Sequence, residues 1–588
     1  MTVLNLLSFI NDALYDALPY AIVCLGILWT AKYIRFPDLT CCGSFVLGGA
    51  VAAIATVRGG WPAPAATALA LVAGAGGGLL TALFYIGLRM DRILSGILSA
   101  FVLYSINLLL LTPTLPYGDK GTLLSLAEKL DRQIITPPLQ VGWHPWVILI
   151  FFGFVLAVKL LMDVFLASEM GLAFRALEDE DAGEIVLLRQ GLSPNLYRTL
   201  ALTAGNGVIG LAGALVSFKE NAANANRGFD VLITGLIAFL IGIQIHKVLQ
   251  KVAVFGTSRS FRGAGLLRIR FTTAAAIGAV VYFGLITLSQ RAEIDPSYAK
   301  MLLAGLVAIS VADLEGVLRR RRPGTPAGSG HIGDFPTANG PESGADSGDP
   351  VLTVQNLRFR YPLADTETIR GVSLKVGKGQ FVRLRGGNGS GKTTTMRLIA
   401  GFLDPQNGSH IIVQGEDLTG DRRGRLRQIA YVDQNANRGV IGVLTTQENL
   451  ALAACGGNPS PWHRALTRSR LARLAGVLAK GGVPRRIMDL PADNLSGGER
   501  QILNLLTLLA REQAPEIVFL DEPANNLDAP NRNRCRRIIE TLRERGISVV
   551  WISHADLEGI PAEVEIDMDQ VNGETQLGLV SSGLSPQR

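Results

Sequence analysis

The stretch Gly386-Gly-Asn-Gly-Ser-Gly-Lys-Thr393 matches the phosphate-binding pattern G-x-x-x-x-G-K-[ST] at every position. It follows the apolar run Phe381-Val-Arg-Leu384 and precedes a helical run from Thr394 to Gly401, which is the context that the pattern requires. Glycines let backbone N–H groups converge on phosphate oxygens, and the helix N-terminus adds positive potential. The predicted nucleotide-binding residues of this loop are Gly386, Gly387, Asn388, Gly389, Ser390, Gly391, Lys392, Thr393 and Thr394.

Two side chains of the phosphate loop have a defined chemical role. Lys392 supplies positive charge at the β- and γ-phosphates, and the Thr393 hydroxyl can ligate Mg²⁺. Around the loop, apolar strand-like runs alternate with helical stretches, which predicts an α/β domain.

A second motif, Ile517-Val-Phe-Leu-Asp-Glu-Pro523, ends an apolar strand with two carboxylates. A carboxylate at a buried strand end can hold a hydrated Mg²⁺, which is the role predicted for Asp521. The next residue, Glu522, is placed to polarise a water molecule for in-line attack on the γ-phosphate. An acidic pair at a strand end is common by itself, but its position downstream of a phosphate loop favours the catalytic interpretation.

A third motif, Leu495-Ser-Gly-Gly-Glu-Arg-Gln501, is specific: with it, the chain resembles the nucleotide-binding domain of ABC transporters from about Val351 to Ile566. In that family the motif contacts nucleotide across a head-to-tail dimer. The resemblance therefore implies that Ser496, Gly497 and Gly498 contact the γ-phosphate held by Lys392 of a second copy. It also implies ATP and Mg²⁺ as ligands.

Further positions match the family one by one. Gln434, in Tyr431-Val-Asp-Gln434, resembles the glutamine that senses Mg²⁺ and the γ-phosphate, so it is predicted both as a metal ligand and as a catalytic residue. His554, in Trp551-Ile-Ser-His554, resembles the histidine that contacts the γ-phosphate, although a hydrogen-bonded histidine at a strand end is the alternative.

Two more positions carry expectations from the same resemblance. Tyr361 resembles the aromatic residue that stacks on adenine, and a packed strand residue is the alternative. Asn525-Asn-Leu-Asp528 occupies the position of the loop that links the two nucleotide sites, with Asp528 as a predicted contact. The asparagines replace the commoner small residues there.

The first half of the chain has a different character. Only 18% of the 588 residues are Asp, Glu, Lys or Arg, against roughly 25% in soluble globular chains, and the mean hydropathy is +0.29. Nine apolar runs in succession make a set of buried soluble helices improbable and predict an all-α membrane domain. The predicted spans are 13–31, 40–57, 64–87, 93–112, 147–167, 199–217, 228–246, 272–289 and 297–314.

Charges in the connections predict the orientation. Lys and Arg residues are concentrated between His246 and Phe271 and in Arg319 to Arg322, which places the N-terminus outside and the C-terminus inside. The N-terminus lacks the basic region of a cleavable signal peptide. The net charge of +7 therefore reflects topology and does not point to a nucleic-acid partner.

The permease half carries short motifs of its own: Phe36-Pro-Asp-Leu-Thr40, Gly43-Ser-Phe45, Arg175-Ala-Leu177, Gly205-Asn-Gly207 and Gly210-Leu-Ala-Gly-Ala-Leu215. Together they resemble importer permeases of the branched-chain amino acid and ribose type, and within that group the tryptophan/tyrosine-type uptake permeases. The resemblance implies a multi-pass protein of a bacterial inner membrane with a cytoplasmic ATPase domain. It further implies a homodimer that imports a small polar solute, such as an amino acid, from an extracytoplasmic solute-binding protein.

Two other functions remain open from the sequence. Fusion of permease and ATPase in this order is familiar from exporters of amphipathic or lipid-like substrates. A non-transporting ATPase that regulates another membrane complex is the third possibility.

The segment 168–198 is unusually polar for its place between two spans. Glu178 to Asp181 precede an apolar stretch with Arg189 behind it, which predicts a short cytosolic helix, whereas a solvated loop is the alternative. The importer resemblance implies that this segment is the coupling helix, seated in the ATPase near Gln434. The residues assigned to it are Arg175, Ala176, Leu177 and Asp181.

The sequence predicts a permease domain over 1–322, a flexible linker rich in Gly, Pro and Ser over 323–350, and an ATPase domain over 351–588. Polar residues at membrane depth are candidates for the substrate pathway, with interhelical hydrogen bonding as the alternative role for each. These candidates are Ser95, Ser99, Tyr104, Asn107 and Asn206.

Overall fold

The computed structural model describes residues 3–118, 122–125, 127, 144–180, 182–255, 270–311, 350–362, 364–525, 527–552, 562–571 and 580–581. The chain forms two compact units. The first combines Met1–Val164 with Asn195–Gly330, and the second combines Phe165–Pro194 with His331–Arg588. Most of the predicted linker lies outside the described residues, so the boundaries at 322 and 350 stay predictions.

Helices occupy all nine places where the sequence predicts spans. The helices of the first half are α1 (Val3–Leu28), α2 (Cys41–Val57), α3 (Ala63–Ala82), α4 (Arg92–Leu111), α5 (Pro145–Leu166), α6 (Glu169–Ala176), α7 (Gly183–Arg189), α8 (Pro194–Lys219), α9 (Gly228–Phe255), α10 (Phe271–Arg291) and α11 (Pro296–Val311). Among the described residues, seven helical stretches are long and apolar enough to cross a membrane. The other two predicted spans are α2, with 17 residues, and α11, with 16. The predicted membrane domain is therefore confirmed, and the outward N-terminus stays a prediction.

Small residues determine how the helices of the first unit pack. A Cβ atom on Gly48 of α2 would lie 2.0 Å from the Gly210 carbonyl oxygen of α8. A Cβ on Gly78 of α3 would lie 2.1 Å from the Leu202 carbonyl oxygen, also on α8. Backbones approach this closely only where no side chain intervenes, which is how membrane helices associate without a hydrophobic driving force.

A buried carboxylate in the motif Phe36-Pro-Asp-Leu-Thr40 connects two parts of the first unit. Asp38 precedes α2, and its Oδ1 accepts a hydrogen bond from the Thr40 backbone N–H at 3.0 Å. Its Oδ2 accepts from Asn206 Nδ2 of α8 at 2.6 Å. A buried charge needs such partners, and this pair fixes the start of α2 against α8. A short antiparallel pair, β1 (Thr114–Pro116) with β2 (Ala222–Asn224), joins two connections of the same unit.

The second unit contains two sheets. Its strands are β3 (Pro350–Phe359), β4 (Ile369–Gly377), β5 (Phe381–Arg385), β6 (His410–Val413), β7 (Glu416–Asp417), β8 (Ile429–Val432), β9 (Ile517–Asp521), β10 (Ser548–Ile552), β11 (Val564–Asp567) and β12 (Val580–Ser581). Six form one sheet in the order β12-β11-β5-β10-β9-β8, and four form an antiparallel sheet in the order β4-β3-β6-β7. Strands β8, β9 and β10 are buried at every position, as expected for central parallel strands covered on both faces.

Helices accompany these sheets and complete the predicted α/β domain. They are α12 (Lys392–Ile399), α13 (Arg422–Gln428), α14 (Thr446–Ala454), α15 (Arg468–Lys480), α16 (Gly497–Ala510), α17 (Ala529–Glu544) and α18 (Met568–Val571). Helix α12 contributes Met396, Leu398 and Ile399 to a buried core shared with both sheets. The phosphate loop is thereby held between a buried strand and a helix anchored in the core.

Candidate nucleotide-binding site

Three predicted motifs meet at one edge of the six-stranded sheet. Strands β5, β10, β9 and β8 are parallel neighbours in that order. The phosphate loop follows β5, Gln434 follows β8, and Asp521 and Glu522 lie at the end of β9. Because the carboxyl ends of parallel strands share one edge, the topology brings these residues together. The crevice outside those ends is where open α/β sheets bind ligands.

The phosphate loop has the backbone conformation that its glycines allow. Gly389 and Gly391 both have φ of +90°, which a residue with a side chain rarely adopts. Gly391 immediately precedes α12, so the loop presents the N-terminus of that helix. The Lys392 amine donates to the carbonyl oxygens of Gly386 and Gly387, each at 2.7 Å, and is thus held over the loop.

Asp521 is buried at the end of β9 and accepts hydrogen bonds from two hydroxyls. The Tyr431 hydroxyl donates to Oδ2 at 2.9 Å, and the Thr393 hydroxyl donates to the same carboxylate. Burial raises the pKa of the Asp521 carboxyl, and these two hydrogen bonds oppose the rise. The structure therefore brings the two predicted metal ligands Asp521 and Thr393 into direct contact.

Glu522 follows Asp521 in a strained turn. Its φ is +46°, a left-handed conformation uncommon outside glycine and typical of functional sites, and its N–H donates to the Ile552 carbonyl oxygen at 3.0 Å. Two side-chain amides, Gln434 Nε2 and Asn525 Nδ2, each donate to Glu522 Oε2 at 2.7 Å. The predicted base and the predicted sensor glutamine are hydrogen-bonded partners. The bond from Asn525 was not predicted.

The signature motif starts a helix that its own side chains cap. Ser496 is the N-cap of α16 and forms a capping box with Glu499. Ser496 and Gly497 are exposed to solvent. An exposed hydroxyl and bare backbone at a helix N-terminus suit an anionic ligand, and the predicted contact with a second copy stays a prediction.

The remaining predicted nucleotide residues have varied surroundings. The Tyr361 hydroxyl lies 3.3 Å from Thr394 Oγ1, and its ring packs edge-on against Phe359. The residue is 38% exposed, and its stacking on adenine stays a prediction. Asp528 caps α17 by accepting from the Asn531 N–H at 3.2 Å. His554 lies outside the described residues.

The segment Phe165–Pro194 packs within the second unit through charged contacts. Arg175 donates to both oxygens of Glu448, at 2.8 and 3.4 Å. Burial opposes ionisation of Glu448, but the Arg175 guanidinium and the hydrogen bonds from Thr445 together hold the pKa of that carboxyl below its usual range. Asp179 Oδ2 accepts from the Gly442 N–H at 2.8 Å. Arg175 was predicted for this segment, whereas its partner Glu448 was not.

A second set of contacts fixes the start of the same segment. Glu169 accepts from Arg470 at 2.7 Å and from the Ser460 N–H at 3.0 Å. Its own N–H donates to the His463 carbonyl oxygen at 3.0 Å. These bonds hold α6 by both its main chain and its side chains.

The helix predicted from Glu178 to Arg189 differs from the structure. Residues Glu178 to Glu180 form a turn, and helices lie on either side of it, with Arg175 and Ala176 ending α6 and Leu177 capping it. Helix α7 begins only at Gly183 because Asp179 Oδ1 accepts from the Ala182 N–H, an arrangement that favours a turn over continued helix. Asp181 lies outside the described residues.

Two of the five substrate-pathway candidates line one cavity of the first unit. This cavity, of about 330 Å³, lies among α2, α4 and α9, and Tyr104 and Asn107 border it. Ser95, Ser99 and Asn206 are not part of its lining: the two serines donate to carbonyls one turn earlier in α4, and Asn206 donates to Asp38. The two serine bonds are local to α4 and its N-cap, whereas the Asn206 bond joins α8 to the segment before α2, and a pathway role for these three residues stays a prediction.

Comparisons with known proteins agree with this division of the chain. The family "Branched-chain amino acid transport system / permease component" matches residues 9–311, and the family "ABC transporter" matches residues 369–525. A tyrosine transport system permease protein of Clostridioides difficile is 28% identical over 41% of this chain and 75% of its own length.

Relatives of the ATPase half come from transporters of both directions. A cobalt import ATP-binding protein of Syntrophus aciditrophicus is 30% identical over 35% of this chain and 70% of its own length. A macrolide export ATP-binding/permease protein of Syntrophobacter fumaroxidans is 32% identical over 35% of this chain, but the match spans only 28% of that relative. Similarity of the ATPase half therefore does not indicate the direction of transport.

Proposed function

The chain belongs to the branched-chain amino acid transport permease family and carries an ABC transporter ATPase domain in the same polypeptide, and from this premise we propose that it imports a small polar solute at the expense of ATP. The observation that carries the proposal is the family match over 9–311, which spans almost the whole membrane unit. An amino acid is the proposed substrate class, supported by the tyrosine permease relative. A separate solute-binding protein would deliver it.

We propose that Mg²⁺ accompanies ATP at the sheet edge. The groups that converge there, the Asp521 carboxylate, the Thr393 hydroxyl and the Gln434 amide, offer oxygen donors, which this cation prefers. In the part of the chain that the structure describes, no group of three or more His, Cys, Asp or Glu side chains could hold a metal. This fits a cation that completes its coordination with nucleotide phosphates. When bound, it would neutralise charge that develops on the phosphates.

The chain's own residues would perform the remaining steps. Lys392 and the loop amides bind the phosphates, and the signature helix of a second copy completes each site. Glu522 polarises the attacking water, while Gln434 and Asn525 hold its carboxylate in position. Each chain has one permease and one cassette, so the proposed working unit is a homodimer with two composite sites.

Complementation tests this homodimer. Lys392→Ala and Ser496→Arg each disable every site in a homodimer, but a mixed dimer of the two variants retains one intact site, formed by Lys392 of one chain and Ser496 of the other. Co-expressed variants should recover a substantial fraction of wild-type ATPase activity. A double variant mixed with wild type leaves no intact site in the mixed dimers and serves as the control. Absence of recovery in the first pair would contradict the composite site.

We propose that the segment Phe165–Pro194 couples hydrolysis to transport. It is continuous in the chain with α5 and α8 of the membrane unit, yet it packs within the ATPase unit through Arg175, Asp179 and Glu169. Closure of two cassettes on ATP would move two such segments together and reorient the permease, and hydrolysis would reset it.

We propose that the cavity among α2, α4 and α9 contacts the substrate. Its lining is apolar or small apart from Tyr104, Cys42 and Asn107, and it contains no charged side chain. Asn107 is buried: its Nδ2 donates to the Gly43 carbonyl oxygen at 3.0 Å, and its Oδ1 has no hydrogen-bond partner among the described residues. An unsatisfied buried acceptor beside an apolar cavity suits a solute with a hydrogen-bond donor and an uncharged body.

The role of Asn107 can be tested by uptake. Asn107→Leu keeps the side-chain size and removes the acceptor, so the apparent KM for the transported solute should rise by about tenfold. Ser105→Ala on the exposed face of α4 is the matched control, because its hydroxyl bonds only the Phe101 carbonyl oxygen. Equal uptake by wild type and Asn107→Leu would show that the cavity does not contact the transported solute.

The proposed function itself is tested by ATPase activity in proteoliposomes with and without a solute-binding protein, across a panel of amino acids. An importer should be stimulated only by binding protein and its cognate solute together. Stimulation by a solute alone would favour an exporter. Hydrolysis without any solute movement would favour a regulatory ATPase.

A further inference from the structure

Tyr431 lies between the carboxylate of Asp521 and the segment Phe165–Pro194. Its side chain is buried, and its hydroxyl is 2.9 Å from Asp521 Oδ2. Arg397 Nε lies 3.4 Å from the same hydroxyl. Because a guanidinium can only donate, the Tyr431 oxygen accepts from Arg397 and its own proton is directed to Asp521. Arg397 therefore fixes the direction of the hydrogen bond, from Tyr431 as the donor to Asp521 as the acceptor.

The partner of Tyr431 is itself held in place. Arg397 belongs to α12, the helix that follows the phosphate loop, and its Nη2 lies 3.2 Å from Asp433 Oδ2. Asp433 immediately precedes Gln434 in the chain. Side chains next to the phosphate loop and the sensor glutamine, Arg397 and Asp433, thus join Asp521 in one hydrogen-bonded frame with Tyr431 at its centre.

Arg189 of the coupling segment contacts this frame. Arg189, the last residue of α7, places its guanidinium carbon 5.6 Å from the centre of the Tyr431 ring and 5.8 Å from that of Phe402. Arg189 is only 7% exposed, and among the described residues its Nε and Nη2 have no hydrogen-bond partner. Aromatic faces beside such a partly unsatisfied buried cation contribute to its stabilisation.

We propose that Tyr431 positions Asp521 for the metal and that Arg189 transmits the position of the coupling segment to Tyr431. The hydroxyl holds one carboxylate oxygen of Asp521, which fixes the direction in which the other points. Groups that orient a metal ligand in this way typically change metal affinity by about 10- to 100-fold when removed. Withdrawal of Arg189 would free the ring face and loosen this hold. The inference rests on the proposed role of Asp521 as a metal ligand.

Equilibrium binding of Mn²⁺, measured by electron paramagnetic resonance on the full-length protein with a non-hydrolysable ATP analogue, tests the first part. Tyr431→Phe removes only the hydroxyl and should weaken Mn²⁺ binding by about tenfold. Asp521→Asn is the reference for loss of a ligand. Wild-type affinity in Tyr431→Phe, with loss in Asp521→Asn, would overturn the role of Tyr431. Wild-type affinity in Asp521→Asn would instead show that Asp521 does not bind the metal, which would also overturn the inference.

A pair of arginine variants tests the second part. Arg189→Met removes the charge over the ring and should weaken Mn²⁺ binding by about threefold, with no further loss when combined with Tyr431→Phe. Arg470→Met is the matched control, because Arg470 also contacts the coupling segment, through Glu169 at 2.7 Å and not through Arg189. Its Mn²⁺ affinity should equal that of wild type. Equal losses in both arginine variants, or additive losses with Tyr431→Phe, would show that Arg189 acts only through packing.

Discussion

The nucleotide edge of the ATPase unit and the cavity of the membrane unit solve different recognition problems. At the edge, residues far apart in the chain, including Lys392, Gln434 and Glu522, are brought together by four parallel strands. In the cavity, small and apolar side chains from three helices surround a single unsatisfied amide, that of Asn107. A polyphosphate demands defined charges and donors at defined places, whereas an uncharged solute can be bound largely by shape. The nucleotide edge can therefore be recognised from sequence motifs, whereas the cavity cannot.

The strongest expected effect concerns the nucleotide edge. Glu522→Gln keeps the size of the side chain but removes the base, so phosphate release should fall by about 10²- to 10⁴-fold while ATP remains bound. Steady-state ATPase assays and nucleotide retention on purified protein measure both. Glu544→Gln, on the exposed surface of α17, is the control. Hydrolysis at the wild-type rate in Glu522→Gln would show that another group is the base.

The next effect concerns packing in the membrane unit. Gly48→Ala places a methyl group 2.0 Å from the Gly210 carbonyl oxygen, so α2 and α8 must separate, and we expect destabilisation of about 3 kcal/mol. Thermal unfolding in detergent, followed by size-exclusion chromatography, measures it. Gly76→Ala on α3 meets no atom within 4 Å and should be neutral or stabilising. Similar behaviour of the two variants would contradict the close approach of these helices.

A smaller effect concerns the segment that we propose to couple hydrolysis to transport. Arg175→Ala breaks the paired hydrogen bonds to Glu448 and should reduce solute-stimulated ATPase activity by about tenfold, with little change in the basal rate. The exchange Arg175→Glu with Glu448→Arg should restore part of the stimulation. Arg536→Ala, which breaks an exposed pair with Glu540, is the control. Unchanged stimulation in Arg175→Ala would exclude this ion pair from coupling.

The smallest effect separates the ring of Tyr361 from its hydroxyl. If the exposed ring stacks on adenine, Tyr361→Phe should change ATP affinity by less than about twofold, whereas Tyr361→Ala should weaken it by about tenfold. Fluorescent ATP-analogue binding measures both. Equal losses in the two variants would assign the effect to the hydroxyl bond with Thr394.

The fold was predictable to the extent that the sequence repeats simple physical patterns. Apolar runs long enough to cross a membrane gave the positions of the helices, and Gly- and Ala-rich stretches such as that around Gly74 indicated their close packing. The strand–loop–helix around Lys392 indicated the α/β domain. The break between α6 and α7 was missed because the turn at Asp179 depends on its bonds to Ala182 and Gly442, and the latter is distant in the chain.

The candidate site was predictable where one residue type is chemically required. Glu522 and Lys392 belong to motifs with few substitutes. Tyr431, Asn525 and Glu448 were missed because their roles arise from neighbours that only the folded chain supplies. For Tyr431, an aromatic residue three positions before the sensor glutamine was the available signal, but its bond to Asp521 could not be read from spacing.

The central claim is that ATP hydrolysis by this chain drives solute inward. The direct measurement is accumulation of radiolabelled amino acid in proteoliposomes that contain ATP, with the binding protein and solute outside and Glu522→Gln as the inactive control. We predict accumulation above the external concentration, in wild type only and only with the binding protein present. Extrusion of solute from the ATP-containing side, or accumulation that Glu522→Gln does not abolish, would contradict the account.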